Sequence, residues 1–248
     1  MSDRPAELGF EGFKTLARDP SLSPHEKVGF PDSYRAGKEK IILRDIAAKL
    51  SHLGRKGRAV LDIGAGCSPL ATALIDLCRR RGHRLTLIDS AEMLALLPEP
   101  PDVEKIVGRF PEDCGDFLAA RRGGFDAVLV YSVLQYVFAE GNVFAFLDSA
   151  LELLADGGQL LIGDLPNQSM RKRFFSSAAG VRFHRRFTGG DEPPRVEHQA
   201  LEPGKIDDAV VLSLVLRARA AGFHAYLLPQ APALPMANRR EDLLIVKP

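Results

Sequence analysis

The chain has 248 residues, 46% hydrophobic and 26% charged, and its 33 basic and 32 acidic residues leave a formal net charge of +1. That balance excludes the basic excess over a whole domain that polynucleotide binders usually carry, and the length suffices to bury roughly 70–75% of the unfolded surface without staples. Cys67, Cys78 and Cys114 are odd in number and lack a C-x-x-C spacing, which speaks against a disulfide framework and a zinc site and fits a reducing cytoplasm best.

In chain order, Met1 to Glu7 lack the basic start and apolar stretch of a secretory signal. No apolar run approaches the ~20 residues that span a bilayer, so neither export nor membrane insertion is expected. Residues 1–57 read as an N-terminal helical appendage: an aromatic-dotted stretch (Phe10, Phe13, Phe30, Tyr34), then a helical pattern with Ile41, Ile42, Ile46 and Leu50 on one face. From Arg58 onward, short β-branched or leucine-rich runs alternate with helical segments, the pattern of an α/β domain over 58–248 with a mostly parallel sheet. The runs are Ala59–Ile63, Leu85–Ile88, Val103–Val107, Phe125–Val130 and Gln159–Ile162. Ser90 reads as an N-cap, and Gly157-Gly158 as the end of a helix begun near Asn142. Residues 164–205 read as a lid or insertion, with no acid between Leu165 and Gly190 and six basic residues. A helix over Ile206–Ala221 and strands over Phe223–Leu228 and Asp242–Val246 complete the chain.

The strongest motif is Val60-Leu61-Asp62-Ile63-Gly64-Ala65-Gly66-Cys67-Ser68-Pro69, a strand that ends in two glycines directly before a helix. Glycines there allow positive φ and close approach to a ligand, and the helix start offers free N–H groups. A dinucleotide fingerprint would place a third glycine at Pro69, and a Walker loop would need Gly-Lys-Ser/Thr, which is missing. Asp89 ends the second strand 23 residues after Gly66, where an acid can accept hydrogen bonds from both hydroxyls of an adenosine ribose.

With Phe125–Val130 and the following Tyr131-Ser132-Val133-Leu134-Gln135-Tyr136, these motifs resemble the class I S-adenosylmethionine-dependent methyltransferases, over roughly residues 58–163 and the final strand pair. The resemblance implies a Rossmann-like three-layer sandwich on a seven-stranded sheet of order 3-2-1-4-5-7-6, with strand seven antiparallel. It also implies S-adenosylmethionine as the cofactor, with Asp62 near the methionine amino group, Gly64, Ala65 and Gly66 beneath the cofactor, and Asp89 and Ser90 at the ribose. The acid that often follows strand three is replaced by Arg109-Phe110-Pro111-Glu112-Asp113, so Phe110 is assigned as a ring-face contact, with Glu112 or Asp113 as acceptors. Tyr131 and Tyr136, at the carboxyl edge of the sheet, are expected to face the reactive methyl and the acceptor.

Methyl transfer needs a base only when the acceptor is a weak acid such as an alcohol. Asp164, His184, His198 and Glu197 are candidates, and no metal cluster is apparent. Arg171 and Arg173, in a stretch mixing cations with aromatics, suit an anionic small-molecule acceptor. Residues 163–167, 171–175, 202–208 and 237–242 are similar to bacterial methyltransferase-like proteins associated with sugar or surface-polysaccharide modification, which implies a sugar or nucleotide-sugar acceptor. A non-catalytic S-adenosylmethionine-binding protein and a nicotinamide-dependent reductase stand as alternatives. Monomer and homodimer are both open.

Overall fold

The computed structural model describes residues 8–200 and 202–248, so Met1–Glu7, on which a leader was judged absent, lie outside the described residues. Seven strands form one sheet: β1 (Ala59–Ile63), β2 (Arg84–Asp89), β3 (Val103–Val107), β4 (Phe125–Tyr131), β5 (Leu154–Pro166), β6 (His224–Pro229) and β7 (Arg240–Val246). Their order is β3-β2-β1-β4-β5-β7-β6, as expected. β1 to β5 pair in parallel, and β7 runs antiparallel to both β5 and β6.

The period-two alternation of the strands builds two cores. Leu61, Ile63, Val128, Val130, Leu160 and Ile162 face one side and pack with Phe146 and Leu147 of helix Val143–Glu152 and Leu214 of helix Asp208–Ala220. Val60, Ala127, Leu129 and Leu161 face the other, against Ile42 and Ile46 of helix Glu39–Lys49 and Leu74 and Ile75 of helix Pro69–Arg81. The result is a three-layer sandwich with every glycine-turn feature at the carboxyl edge of β1.

Two local expectations change. The helix begun after Asn142 stops at Glu152, and Gly157-Gly158 lie inside β5, where the register against β4 slips between Phe125 and Ala127. Gly157 has φ +71°, and a Cβ on Gly158 would lie 2.7 Å from the Ala155 carbonyl oxygen, so the pair forms a bulge rather than a helix cap. The acid-free stretch after β5 is also compensated in part in space. It forms helices Gln168–Phe175 and Ala178–Thr188, in which Arg173 pairs with Asp208 at 2.5 Å and Lys172 with Glu202 at 3.3 Å.

Residues 10–49 hold four helices, Phe10–Arg18, Pro24–Lys27, Asp32–Arg35 and Glu39–Lys49. Lys27 is buried, and its Nζ closes the C-terminal end of the first of them by donating to the carbonyls of Ala17 (2.8 Å) and Asp19. Among the described residues, no helix is long and apolar enough to cross a membrane, and no cluster of three or more His, Cys, Asp or Glu is placed to hold a metal ion.

Candidate active site

One cavity opens where β1, β2 and β4 end, and the N-terminal helices form its far wall. It holds about 1350 Å³ of empty space counted out to its mouth. Asp62, Gly64, Ala65, Gly66, Asp89, Phe110, Tyr131 and Tyr136 all line it. Ser90 lies just beneath, 3% exposed, its hydroxyl accepting from the Met93 N–H.

The glycine turn is shaped by its backbone. Gly64 and Gly66 have φ of +75° and +62°, and added Cβ atoms would lie 2.5 Å from Val133 and 2.8 Å from Val28. Side chains are therefore excluded by strain and by space. The Gly64 N–H donates to the Ile88 carbonyl at 2.8 Å, tying the turn to the end of β2. Asp89 accepts from the Gly66 N–H at 2.8 Å and the Ser90 N–H at 2.6 Å. Burial pushes the Asp89 carboxyl up, against the pull of these hydrogen bonds.

Asp62 is 5% exposed, and no donor to its carboxylate occurs among the described residues. Burial, reinforced by the nearby charge of Asp89, pushes its pKa up to about 7. Phe110 meets Phe146 edge-on at 5.1 Å between centroids. Burial holds the Tyr131 hydroxyl well above its ordinary range, with the Asp164 charge adding to the shift.

The other candidates lie elsewhere. Asp164 is 2% exposed and does not line the cavity. Its carboxylate accepts from Arg35 (2.6 Å), Arg240 (2.6 Å) and Ser132 (2.5 Å), with Gln230 on its other oxygen at 3.3 Å. Arg171 and His184, with Glu197, line a second cleft, formed by residues between 171 and 200 together with Glu202. His198 bonds to the Ser176 hydroxyl at 2.9 Å, and Arg173 is engaged by Asp208.

His25, Arg35 and Glu39 also line the cavity. Their sequence does not single them out, because a polar residue in a mixed helical segment carries no local mark of what it will face. The one usable signal was Ser23-Pro24-His25-Glu26, a capping box that fixes where His25 sits.

No family model matches the sequence. A 3-hydroxy-5-methyl-1-naphthoate 3-O-methyltransferase of Streptomyces sahachiroi is 30% identical over 152 residues, 59% of this chain and 42% of that protein, so the chain spans less than half the length of that relative. Among solved structures, the plantazolicin methyltransferase BamL, in complex with a triazolic desmethylPZN analog and SAH (S-adenosylhomocysteine), superposes at a TM-score of 0.60 with 14% identity. That match covers 95% of this chain and 94% of BamL. The chain has the class I methyltransferase fold. A SAM-dependent methyltransferase from Aquifex aeolicus shares this methyltransferase fold at a TM-score of 0.51 and 14% identity, covering 91% of this chain and 98% of the other.

Proposed function

We propose that this protein transfers a methyl group from S-adenosylmethionine to a small-molecule acceptor. The observation that carries this is Asp62, a buried carboxylate facing a cavity with no donor of its own, directly before a turn that only glycine can make. A ligand ammonium group is the partner such a carboxylate lacks. The methyltransferase relative and the SAH-bound neighbour of the same fold support the same chemistry.

When bound, S-adenosylmethionine supplies an electrophilic methyl on a sulfonium. Asp62 would hold the amino group, Gly64, Ala65 and Gly66 would pass under the ligand, Asp89 beside Ser90 would take the ribose hydroxyls, and Phe110 would cover the base. Tyr131 would stand near the methyl, with Tyr136 on the acceptor side. The rest of the work is alignment and exclusion of water by the apolar wall. A nicotinamide cofactor is less well served, since Pro69 opens helix Pro69–Arg81 where a dinucleotide fold places its third glycine.

Calorimetric titration with S-adenosylhomocysteine tests the assignment. Asp89→Ala is expected to weaken binding by about tenfold or more, the cost of one charge-assisted hydrogen-bonded contact. Folded protein that gives no binding heat, or binding indifferent to Asp89→Ala, would overturn it. Binding without turnover over a broad acceptor panel would favour the non-catalytic alternative.

An anionic, sugar-linked acceptor has one supporting observation, the cations Arg171 and Arg195 lining the second cleft beside Phe175, where Lys172 is already paired with Glu202. Because Arg173 is committed to Asp208, Arg171 is the informative position. A nucleotide-sugar held in this cleft would lose affinity on Arg171→Glu, with that for S-adenosylhomocysteine intact. Equal loss of both would make the cleft a structural face.

A further inference from the structure

The cofactor assignment leaves one cluster on the cavity wall unused. His25, 8% exposed, and Glu39 both face the cavity. His25 Nδ1 lies 2.9 Å from Asp32 Oδ1, and Nε2 lies 2.8 Å from Glu39 Oε1. Asp32 is anchored by the Ser23 hydroxyl at 2.8 Å, and the Ser23 backbone N–H donates to Glu26 at 2.8 Å. Each ring nitrogen thus has a carboxylate oxygen within hydrogen-bond distance, and with the Nδ1–H donated to Asp32 the Nε2 end is the one beside Glu39. The cluster is thus a histidine–carboxylate pair on the cavity wall, able to receive a proton at Nε2 and share it with Glu39.

The chamber in front of it is apolar and flat-walled. Phe10, Phe13, Val28, Phe30 and Tyr136 line it. Phe13 and Tyr136 meet edge-on at 4.7 Å between centroids, and the Arg35 guanidinium covers Phe30 at 3.9 Å from its centroid. Arg35 is held by Asp164, a carboxylate that it shares with Arg240, and as a permanent cation it cannot accept a proton, so it serves as a wall and leaves the proton-accepting end to His25 and Glu39.

We propose that this chamber is the acceptor subsite, that the acceptor is a hydroxyl on a flat aromatic ring, and that His25, with Glu39, takes the hydroxyl proton. This rests on the methyl-transfer reading above. In the reactive form the ring carries one proton, on Nδ1 and donated to Asp32, and the acceptor hydroxyl donates to Nε2. The oxygen lone pair forms the bond to the methyl carbon, and the carbon–sulfur electron pair stays on sulfur. The oxygen–hydrogen bond breaks, and its proton passes to Nε2. The products are a methyl ether, a neutral thioether and an imidazolium between two carboxylates. Asp32 is a positioning residue that fixes the ring's tautomer.

The experiment compares 2-naphthol with 2-naphthalenethiol as acceptors for the full chain with S-adenosylmethionine near pH 8, alongside S-adenosylhomocysteine calorimetry. An aromatic thiol is largely ionised there and needs no base, whereas the naphthol does. His25→Gln and the near-isosteric Glu39→Gln are each expected to lower the ratio of O- to S-methylation kcat by about a hundredfold. Thiol turnover and S-adenosylhomocysteine affinity report that each variant is folded. Equal loss with both acceptors, or a wild-type protein that binds S-adenosylhomocysteine and fails to methylate naphthol, overturns the subsite and its base. A wild-type protein that does not bind S-adenosylhomocysteine overturns the methyl-transfer reading itself.

Discussion

Replacing Asp62 with Asn is expected to stabilise the empty protein and at the same time to weaken its hold on S-adenosylhomocysteine. Asp62 is 5% exposed with its pKa pushed up to about 7 by burial and by the Asp89 charge. A raised carboxyl pKa means that the folded state keeps a proton which the unfolded chain has already released. Stability therefore falls as pH rises from the ordinary carboxylate range to about 7 and stays at the lower level above it. Asn removes that cost. The expected gain at pH 8 is on the order of 2 kcal/mol, or roughly 5 °C in Tm for a chain of this size. At low pH, where the aspartate is protonated in both states, the gain should vanish.

Binding should move the opposite way. Without the carboxylate, the ligand ammonium loses its partner, and affinity should fall by about tenfold or more. In the wild-type protein, affinity should decline as pH drops below about 7, with protons released on binding, and Asp62→Asn should flatten that dependence. Thermal melts and titrations across pH, in buffers of different ionisation enthalpy, read both effects. A destabilised Asp62→Asn protein with undiminished affinity would remove Asp62 from the site.

The second large effect is expected at Asp164. Its carboxylate joins Arg35 of the N-terminal segment to Arg240 of β7, and its backbone N–H donates to the fully buried Asp242, which also pairs with Lys49 at 2.6 Å. Removing one partner of such a pair leaves uncompensated buried charge, at a cost of about 3–5 kcal/mol. Asp164 has φ +60°, a conformation that Asn tolerates, so Asp164→Asn isolates the charge from backbone strain. Urea denaturation should show the loss, and limited proteolysis should show residues 10–49 released from the cavity. The double variant with Arg35→Gln should cost less than the sum of the two, because the pair acts as a unit. If Asp164 were instead the base of the reaction, its replacement would abolish turnover with little change in stability.

The glycine turn shows why part of the site can be read locally. A strand ending in Gly64-Ala65-Gly66 and an acid ending the next strand are features of short range. Parallel β1 and β2 then place Asp89 against Gly66 because Asp62 pairs with Leu87 and Ile63 with Ile88. The base-bearing residues behave differently. His184 and His198 suit proton transfer by residue type and by their cationic neighbourhood in sequence, yet His184 lines the second cleft and His198 bonds to Ser176. His25 lies in a segment with no strand, no glycine pair and no periodic signature beyond a capping box.

Local patterning was enough for the α/β class and for the glycine turn and the acid that ends the next strand, because alternation, turn chemistry and strand ends are governed by near neighbours; the strand order came with the family resemblance. Which charges are compensated, and which polar groups face the cavity, required the folded chain. The net charge of +1 is an average over pairs such as Arg35–Asp164, Lys49–Asp242 and Arg173–Asp208, whose members stand 129, 193 and 35 residues apart. Only tertiary packing brings such partners within Coulomb range and strips away the water that would otherwise screen them.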